Sequence, residues 1–363
     1  MELTRAQVVG YRVAAQGLLR EPASVDDLTV LDIGLQDSAG SAALALDARL
    51  PSPPDGASLA LAWTLRGAPH LHRGPDLDWL AGALWPLSDA DALARLDASA
   101  SMRKAGIGGL SGFEATVQAM RRVVRAPTGK GAASTAVTGA TPPAVHRYCR
   151  SCQATHIFEG LFRLASLPAG LELEPGTAPP VLVPRNGAPR TAGPDRDALR
   201  RLIRSYLTLL GPATPADVAG YLDARRADLM KVWPDDLEQV SVHGHTAWLP
   251  SEAVAAVKRA RPPQLTRLLG PFDPYLQARD RDLIVPDRAV QKALWPILGR
   301  PGVLFVDGEV VGTWRPKAAK TRLEITVEAF VPLPPPVRRA VDGEAQRVAA
   351  VRGARGVNVR LPR

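Results

Sequence analysis

The chain has 363 residues, 46% of them hydrophobic and 22% charged, a globular composition that can bury a large core shared among two to four modules. Its longest apolar runs, such as residues 58–63, are far too short to cross a bilayer. The formal charge of +9 is concentrated at the C-terminal end, where residues 315–363 hold eleven basic against four acidic side chains; such an end suits a polyanion or is a solvated basic tail.

Met1-Glu2-Leu3-Thr4 opens directly into an amphipathic pattern, without the basic and apolar regions of a signal peptide, so a cytoplasmic protein is expected. Residues 4–19 place Val8, Tyr11, Ala15 and Leu18 at helical spacing. Residues 25–33 and 41–50 follow as two more helices, residues 58–65 as a strand, and Arg66-Gly67-Ala68-Pro69-His70 as a wing. A looser version of this order runs over residues 111–184, with helices at 113–124, 130–138 and 156–165 and strands around Pro175-Gly176. The third version is the clearest. Helices at 197–210, 214–222 and 224–232, the second behind the capping signal Thr214-Pro215-Ala216-Asp217, lead into a hairpin over 239–249 that turns at Gly244.

Helix, helix, helix, hairpin is a winged-helix order. Beyond residue 251 the pattern changes to a hairpin with an Asp307-Gly308 turn and an alternating strand over 322–330. A proline-rich spacer at 332–336 precedes a last helix at 337–351, and the residues after Gly353 are expected to be unordered. The fold expected is α+β. Three tandem winged-helix units, residues 1–80, 81–190 and 191–260, precede a small β-barrel-like module with a terminal helix over 261–363. Pro/Gly-rich joints at residues 51–56, 187–194 and 261–263 are candidate boundaries.

Two constellations carry chemistry. In Gly34-Leu35-Gln36-Asp37-Ser38, a glutamine flanked by short polar side chains between two helices suits the positioning of water on DNA. Residues two apart on a helix point about 200° apart, so Gln36 and Ser38 share a face only in an extended or turn segment. Equally, Asp37 or Ser38 suits the cap of the following helix. The second constellation is His146, Cys149, Cys152 and His156, which gathers the only two cysteines with two of the six histidines. A turn at the cysteines would bring Cys149, Cys152 and His156 to the roughly 2.0 to 2.3 Å that zinc requires, as a structural site with His146 or a distant group as fourth ligand; a buried thiol pair or a redox switch fits the same spacing.

Other signals are plainer. Gly129-Lys130-Gly131 lacks the order of a phosphate loop and marks a helix start. Arg225, Arg226 and Lys231 occupy the recognition-helix position of the third unit, as phosphate contacts or as a solvated face. His243 and His245 flank Gly244 in an exposed turn. Arg66 and His70, on or beside the first wing, are placed to hold a DNA backbone or to serve a salt-bridged wing.

Gly34-Leu35-Gln36, residues 63–70, Leu210-Gly211-Pro212-Ala213-Thr214, Asp273-Pro274 with Arg279-Asp280-Arg281, and Val306-Asp307-Gly308 with Gly312-Thr313-Trp314-Arg315 together resemble the winged-helix DNA-binding proteins that include the AlkZ- and YcaQ-like DNA glycosylases. The resemblance covers nearly the whole chain. It implies tandem winged helices with a β-barrel-like C-terminal module, and a catalytic Gln-x-Gln or Gln-x-Asp motif whose first position falls on Gln36 and whose second falls on Ser38. It further implies a monofunctional glycosylase acting on alkylated or adducted purines in double-stranded DNA, with Asp37 or Ser38 assisting Gln36 and no cofactor for catalysis. Arg279, Arg281 and Arg315 join Arg66 and His70 as DNA contacts on this reading. The competing class is a non-catalytic binder, a transcriptional regulator or a damage-recognition protein. The chain carries no strong dimerisation heptad, so a monomer is expected.

Overall fold

The computed structural model describes residues 1–21, 24–38, 40–52, 59–319 and 321–361. The chain divides between two units, one of Met1–Ala57, Ser205–Thr214 and Asp236–Arg363, the other of Ser58–Arg204 and Pro215–Asp235. The divisions fall inside the spans 1–80 and 191–260, so neither span lies within a single unit. Residues 53–56 of the first candidate joint, and residue 58, lie outside the described residues.

In the first unit, Thr4 and Gln7 form a reciprocal capping box that starts the helix Arg5–Ala15. Its buried face of Val8, Val9 and Tyr11 shares one core with Val240, Val242, Ala247, Leu249 and Val257. The strand Glu2–Leu3 pairs in parallel with Leu237–Val242, which pairs antiparallel with His245–Pro250. The N-terminal helix is thus roofed by a hairpin from far along the chain, a partnership that local spacing cannot reveal. His243 and Gly244 turn that hairpin with positive φ, where the sequence places it.

The same unit contains a five-stranded sheet in the order Thr266–Leu269, Gly302–Val306, Glu309–Ala319, Arg322–Ala329 and Gly356–Arg360. Leu323, Ile325 and Val327 alternate inward against Val341, Ala345, Val348 and Ala349 of the helix Pro335–Val351. Each of the leucine, isoleucine and valine side chains among them contributes on the order of 1.5 to 3 kcal/mol by leaving water. Trp314 closes this core and donates its indole N–H to the Leu269 carbonyl at 2.9 Å. Gly302 makes room for the ring, because a Cβ there would stand 2.3 Å from it. The expectation of unordered residues after Gly353 is corrected: Val357 and Val359 are half-buried in a strand parallel to Arg322–Ala329.

The second unit contains antiparallel strands in the order Pro69–Arg73, Leu59–Trp63, Leu171–Leu173, Val181–Pro184 and Thr128–Gly129. Trp63 packs edge-on against Phe162 at 5.8 Å, and Trp85 against Phe113 at 5.2 Å, inside the core that fills this unit. Gly109–Val123, Lys130–Gly139 and the turn region around Pro175-Gly176 follow the sequence reading. Three helices, Asp76–Ala83, Asp89–Arg95 and Ser99–Lys104, fill a stretch to which it assigned no elements. Residues 156–165 do not form one helix: a strand, Ala154–Ile157, precedes the helix Glu159–Ser166. Back in the first unit, residues 25–33 yield only the four-residue 3-10 helix Thr29–Asp32. Among the described residues no helix is long and apolar enough to cross a membrane.

Candidate active site and nucleic-acid interface

The helix Ser41–Asp47 begins after Gly40, whose φ of 75° is left-handed and which has no side chain to cap the helix. Asp37 supplies that cap from further back, accepting the Ala42 N–H on Oδ1 at 3.2 Å. Ser41 locks the segment from the other side: its hydroxyl donates to the Gln36 carbonyl at 2.6 Å and accepts the Ser38 N–H at 3.0 Å. Leu35 is buried beneath, in the two-residue strand Leu35–Gln36. With the backbone extended here, the side chains of Gln36 and Ser38 meet, and the Gln36 amide donates to the Ser38 hydroxyl at 3.0 Å. The side chains of Gln36, Asp37 and Ser38 are all half-buried. The Gln36 side-chain carbonyl oxygen remains an acceptor, and the Ser38 hydroxyl hydrogen remains a donor.

Both ends of this region are clamped by ion pairs within the unit. Arg49 reaches Asp273 with two hydrogen bonds of 2.8 and 2.9 Å, and also the Ala45 carbonyl and the Gln16 side chain. Asp273 additionally caps Pro274–Gln277 through the Tyr275 N–H. Arg12 pairs with Asp280 at 2.6 Å and donates to the carbonyls of Gly211 and Pro212. Arg347 grips Asp47 and the carbonyl of Leu50. Asp273-Pro274, Asp280 and Gly211-Pro212 therefore fasten the scaffold that presents Gln36. Sequence reading missed Ser41, Arg12 and Arg49; an arginine at a helix's buried position, as at 12, is the signal it offered.

The basic candidates fall into different environments. Arg66 adopts a left-handed φ of 57° in the turn Leu65–Gly67; its guanidinium lies over the Tyr221 ring and donates to the Tyr221 carbonyl at 2.5 Å. His70 lies beside that turn, in the strand Pro69–Arg73, but is buried, with Nδ1 2.9 Å from the Ala68 carbonyl and 3.0 Å from Thr64 Oγ1, which corrects its expected role as a contact to a DNA backbone. Burial, with the nearby charges of His72 and Arg66, holds its pKa well below the ordinary histidine value. The expected recognition helix is short, Arg226–Leu229 followed by the 3-10 turn Met230–Val232. There Arg225 and Lys231 share the buried carboxylate of Asp228, while Arg226 is exposed. Arg279, Arg281 and Arg315 are exposed; Arg281 stacks on Trp295 and Arg315 donates to the Gly299 carbonyl.

One basic cluster has no counterpart in the sequence reading. A cavity of about 340 Å³ in the second unit is lined by Arg121, Arg125, Arg185 and Arg190 together with Gly170 and Pro189. Arg121 donates to the carbonyls of Pro168 and Thr191, but its second terminal nitrogen is buried without a partner. Burial and the charge of Arg190 lower its pKa. Arg185 is paired with Asp78, whereas Arg125 and Arg190 meet no carboxylate among the described residues. Such a concentration of unneutralised guanidinium suits an anion.

The Cys/His constellation lies on the hairpin His146–Cys149 and Ala154–Ile157. Cys149, Cys152 and His156 place their ligand atoms within 4.8 Å of one another. His146 does not join them, which corrects the four-ligand set: it is an odd number of residues from Cys149, so strand alternation turns it to the opposite face, where Nε2 meets Thr141 at 2.9 Å. Hydrogen bonds from Ser151 and Cys152, then from His156, lower the Cys149 pKa to about 6. The Ile157 carbonyl and then Cys149 raise that of His156.

A sequence model of the family described as DNA glycosylase AlkZ-like matches residues 25–351. The interstrand DNA cross-link repair glycosylase of Streptomyces sahachiroi is 31% identical over 179 residues, a stretch that is 46% of this chain and 46% of that protein. The solved structure of Streptomyces sahachiroi DNA glycosylase AlkZ has the same fold, with a TM-score of 0.75 over 100% of both chains at 22% identity. A mixed α+β chain with these relatives is a member of a defined enzyme family. It belongs to the AlkZ-like DNA glycosylases.

Proposed function

We propose that the protein is a monofunctional DNA glycosylase that hydrolyses the N-glycosidic bond of alkylated or adducted purines in double-stranded DNA. The observation that carries this reading is the Gln36–Ser38 pair, held in register on an extended, half-buried segment, in a chain of the AlkZ-like family. The Streptomyces sahachiroi relative is an interstrand cross-link repair glycosylase, which suggests purines cross-linked between strands as one substrate. The winged-helix reading draws support from the capped N-terminal helix packed under the hairpin Leu237–Val242 and His245–Pro250. We place the enzyme in the cytoplasm as a monomer.

The Gln36 side-chain carbonyl accepts a hydrogen bond from water while the Ser38 hydroxyl orients it, so that the water oxygen approaches C1′ as the bond to the purine nitrogen lengthens. The C1′–N bond breaks with its electron pair on the base, the C1′–O bond forms, and the water proton passes to solvent or to the departing base. The products are free base and an abasic site. Asp37 acts through the backbone: its carboxylate holds the helix N-terminus and so the register of Gln36 and Ser38. Exposed Arg226, Arg279, Arg281 and Arg315, and the four-arginine cavity, supply phosphate contacts.

The test is base release from duplexes carrying N7-methylpurine, a bulky purine adduct or a purine cross-link, read as free base and alkali-labile sites. Wild type releases base from at least one duplex and Gln36→Ala does not. Equal, background-level release by both across the panel overturns the enzyme reading and leaves a non-catalytic DNA binder.

A further inference from the structure

The hairpin that contains the cysteines is a separate two-stranded sheet. From Arg147 to Thr155 every residue is exposed except Cys149, which is half-buried. Tyr148 is 64% exposed, and Gln153 takes a left-handed φ of 52° to close the turn. A two-stranded hairpin without a core beneath it is marginally stable in water. Something other than apolar burial must hold its outer half together.

The three side chains that converge there are ligands suited to a thiophilic metal, one from each strand of the hairpin and one from the turn between them. Cys149 pairs across the ladder with Ala154, and His156 sits two residues further along that strand, so Cys149 and His156 lie on the same face as diagonal neighbours. Cys152 is in the turn that joins the strands, above that face. The His156 ring is already oriented: Nδ1 faces the Ile157 carbonyl at 2.8 Å, which leaves Nε2 for a ligand. Zinc bound by two thiolates and one imidazole holds its donors about 3.5 to 3.8 Å apart. The observed separations, all within 4.8 Å, need only side-chain rotation to reach that geometry.

We propose that Cys149, Cys152 and His156 form a zinc site that staples the outer half of this hairpin, with water in the fourth position. The two thiol protons pass to solvent on binding, and the ion replaces the missing core as the element that fixes the turn. Arg147 and Arg150, both exposed, flank the staple, so the ion also fixes where two positive charges stand.

The full-length protein, purified under reducing conditions without chelator, is assayed for zinc released by a mercurial reagent and for cobalt substitution. One zinc per chain is expected, with thiolate-to-cobalt charge transfer and the intense visible bands of a tetrahedral ion. Cys149→Ser, Cys152→Ser and His156→Ala each lose the bound metal, whereas His146→Ala retains it. Zinc also slows hydrogen exchange at residues 147–155 and shields both thiols from alkylation. The proposal is overturned by substoichiometric zinc with no cobalt spectrum, by loss of metal in His146→Ala to the same extent, or by ready formation of a Cys149–Cys152 disulfide that zinc does not prevent. None of these readouts depends on base release.

Discussion

Arg49 and Asp273 form a two-pronged ion pair in which neither side chain has exposed area, although 224 residues separate them in sequence. The pair joins the end of the helix that starts beside Gln36 to the turn that begins at Asp273-Pro274. Removing one member leaves the other charge buried without compensation, which costs about 3 to 5 kcal/mol, whereas replacing both by apolar side chains of similar volume is close to neutral. Asp273→Ala is therefore expected to lower the urea midpoint sharply, and Arg49→Met with Asp273→Leu to restore most of it. A single variant as stable as wild type would show that water reaches the pair.

Gln36 and Asp37 are neighbours with separable roles. Gln36→Ala removes the carbonyl acceptor and the hydrogen bond to Ser38 from a half-buried side chain, so base release should fall at least a hundredfold while the melting temperature drops only slightly. Asp37→Ala removes a helix cap, which costs about 0.5 to 2 kcal/mol. Asp37→Asn or Asp37→Ser keeps an oxygen for the Ala42 N–H and should retain both stability and base release to within a few-fold. Single-turnover rates on a methylpurine duplex, beside thermal melts, check this. Loss of turnover in Asp37→Asn at full stability would assign the carboxylate a charge role in the chemistry.

The extended backbone at Gln36 was legible because side chains two apart can meet only off a helix, and the Asp37 cap because aspartate before a helix usually serves one. The hairpin at Gly244 and the Asp307-Gly308 turn were legible from turn chemistry. Long-range partnership was not: nothing local to Val8 or Tyr11 names Val240 and Leu249 as their partners. In the Cys/His set the spacing gathered Cys149, Cys152 and His156, whose side chains do converge, together with His146, which turns away from them. On a hairpin over residues 146–157, alternation alone separates His146 from Cys149, and spacing along the chain does not show that the stretch is a hairpin. The arginine cavity was invisible because its members come from separated segments, each ordinary in a chain rich in arginine.

His70 gives the protein a pH dependence of definite sign. Its folded pKa lies well below the ordinary value of 6.5 because burial opposes the charged ring. As pH falls through that ordinary value the unfolded chain takes up a proton that the folded chain refuses. Stability is therefore full above it and declines on acidification until the folded pKa is reached, by up to about 1.4 kcal/mol per pH unit. His70→Asn, which keeps a donor for the Ala68 carbonyl, should flatten the urea midpoint between roughly pH 7.5 and 5.5 relative to wild type. An equally steep profile in the variant would place the proton uptake elsewhere.

The cavity of Arg121, Arg125, Arg185 and Arg190 contributes to DNA affinity through phosphate, on the glycosylase reading. Arg121 itself is a poor probe, because it also ties the carbonyls of Pro168 and Thr191. Among the described residues Arg125 holds a backbone carbonyl and Arg190 a glutamine, so their removal leaves the scaffold intact. Every arginine–phosphate pair removed should lower the slope of log K against log salt by about 0.9. Arg125→Ala with Arg190→Ala is expected to reduce the slope by one to two such steps, for damaged and undamaged duplexes alike. The single-turnover rate at saturating enzyme should stay unchanged, because groups that hold the DNA backbone position the duplex without touching C1′. Removing Arg190 also relieves the repulsion on Arg121, so inorganic phosphate should stabilise the wild type thermally more than the variant. An unchanged salt slope, with no difference in phosphate stabilisation, would remove this cavity from the DNA interface.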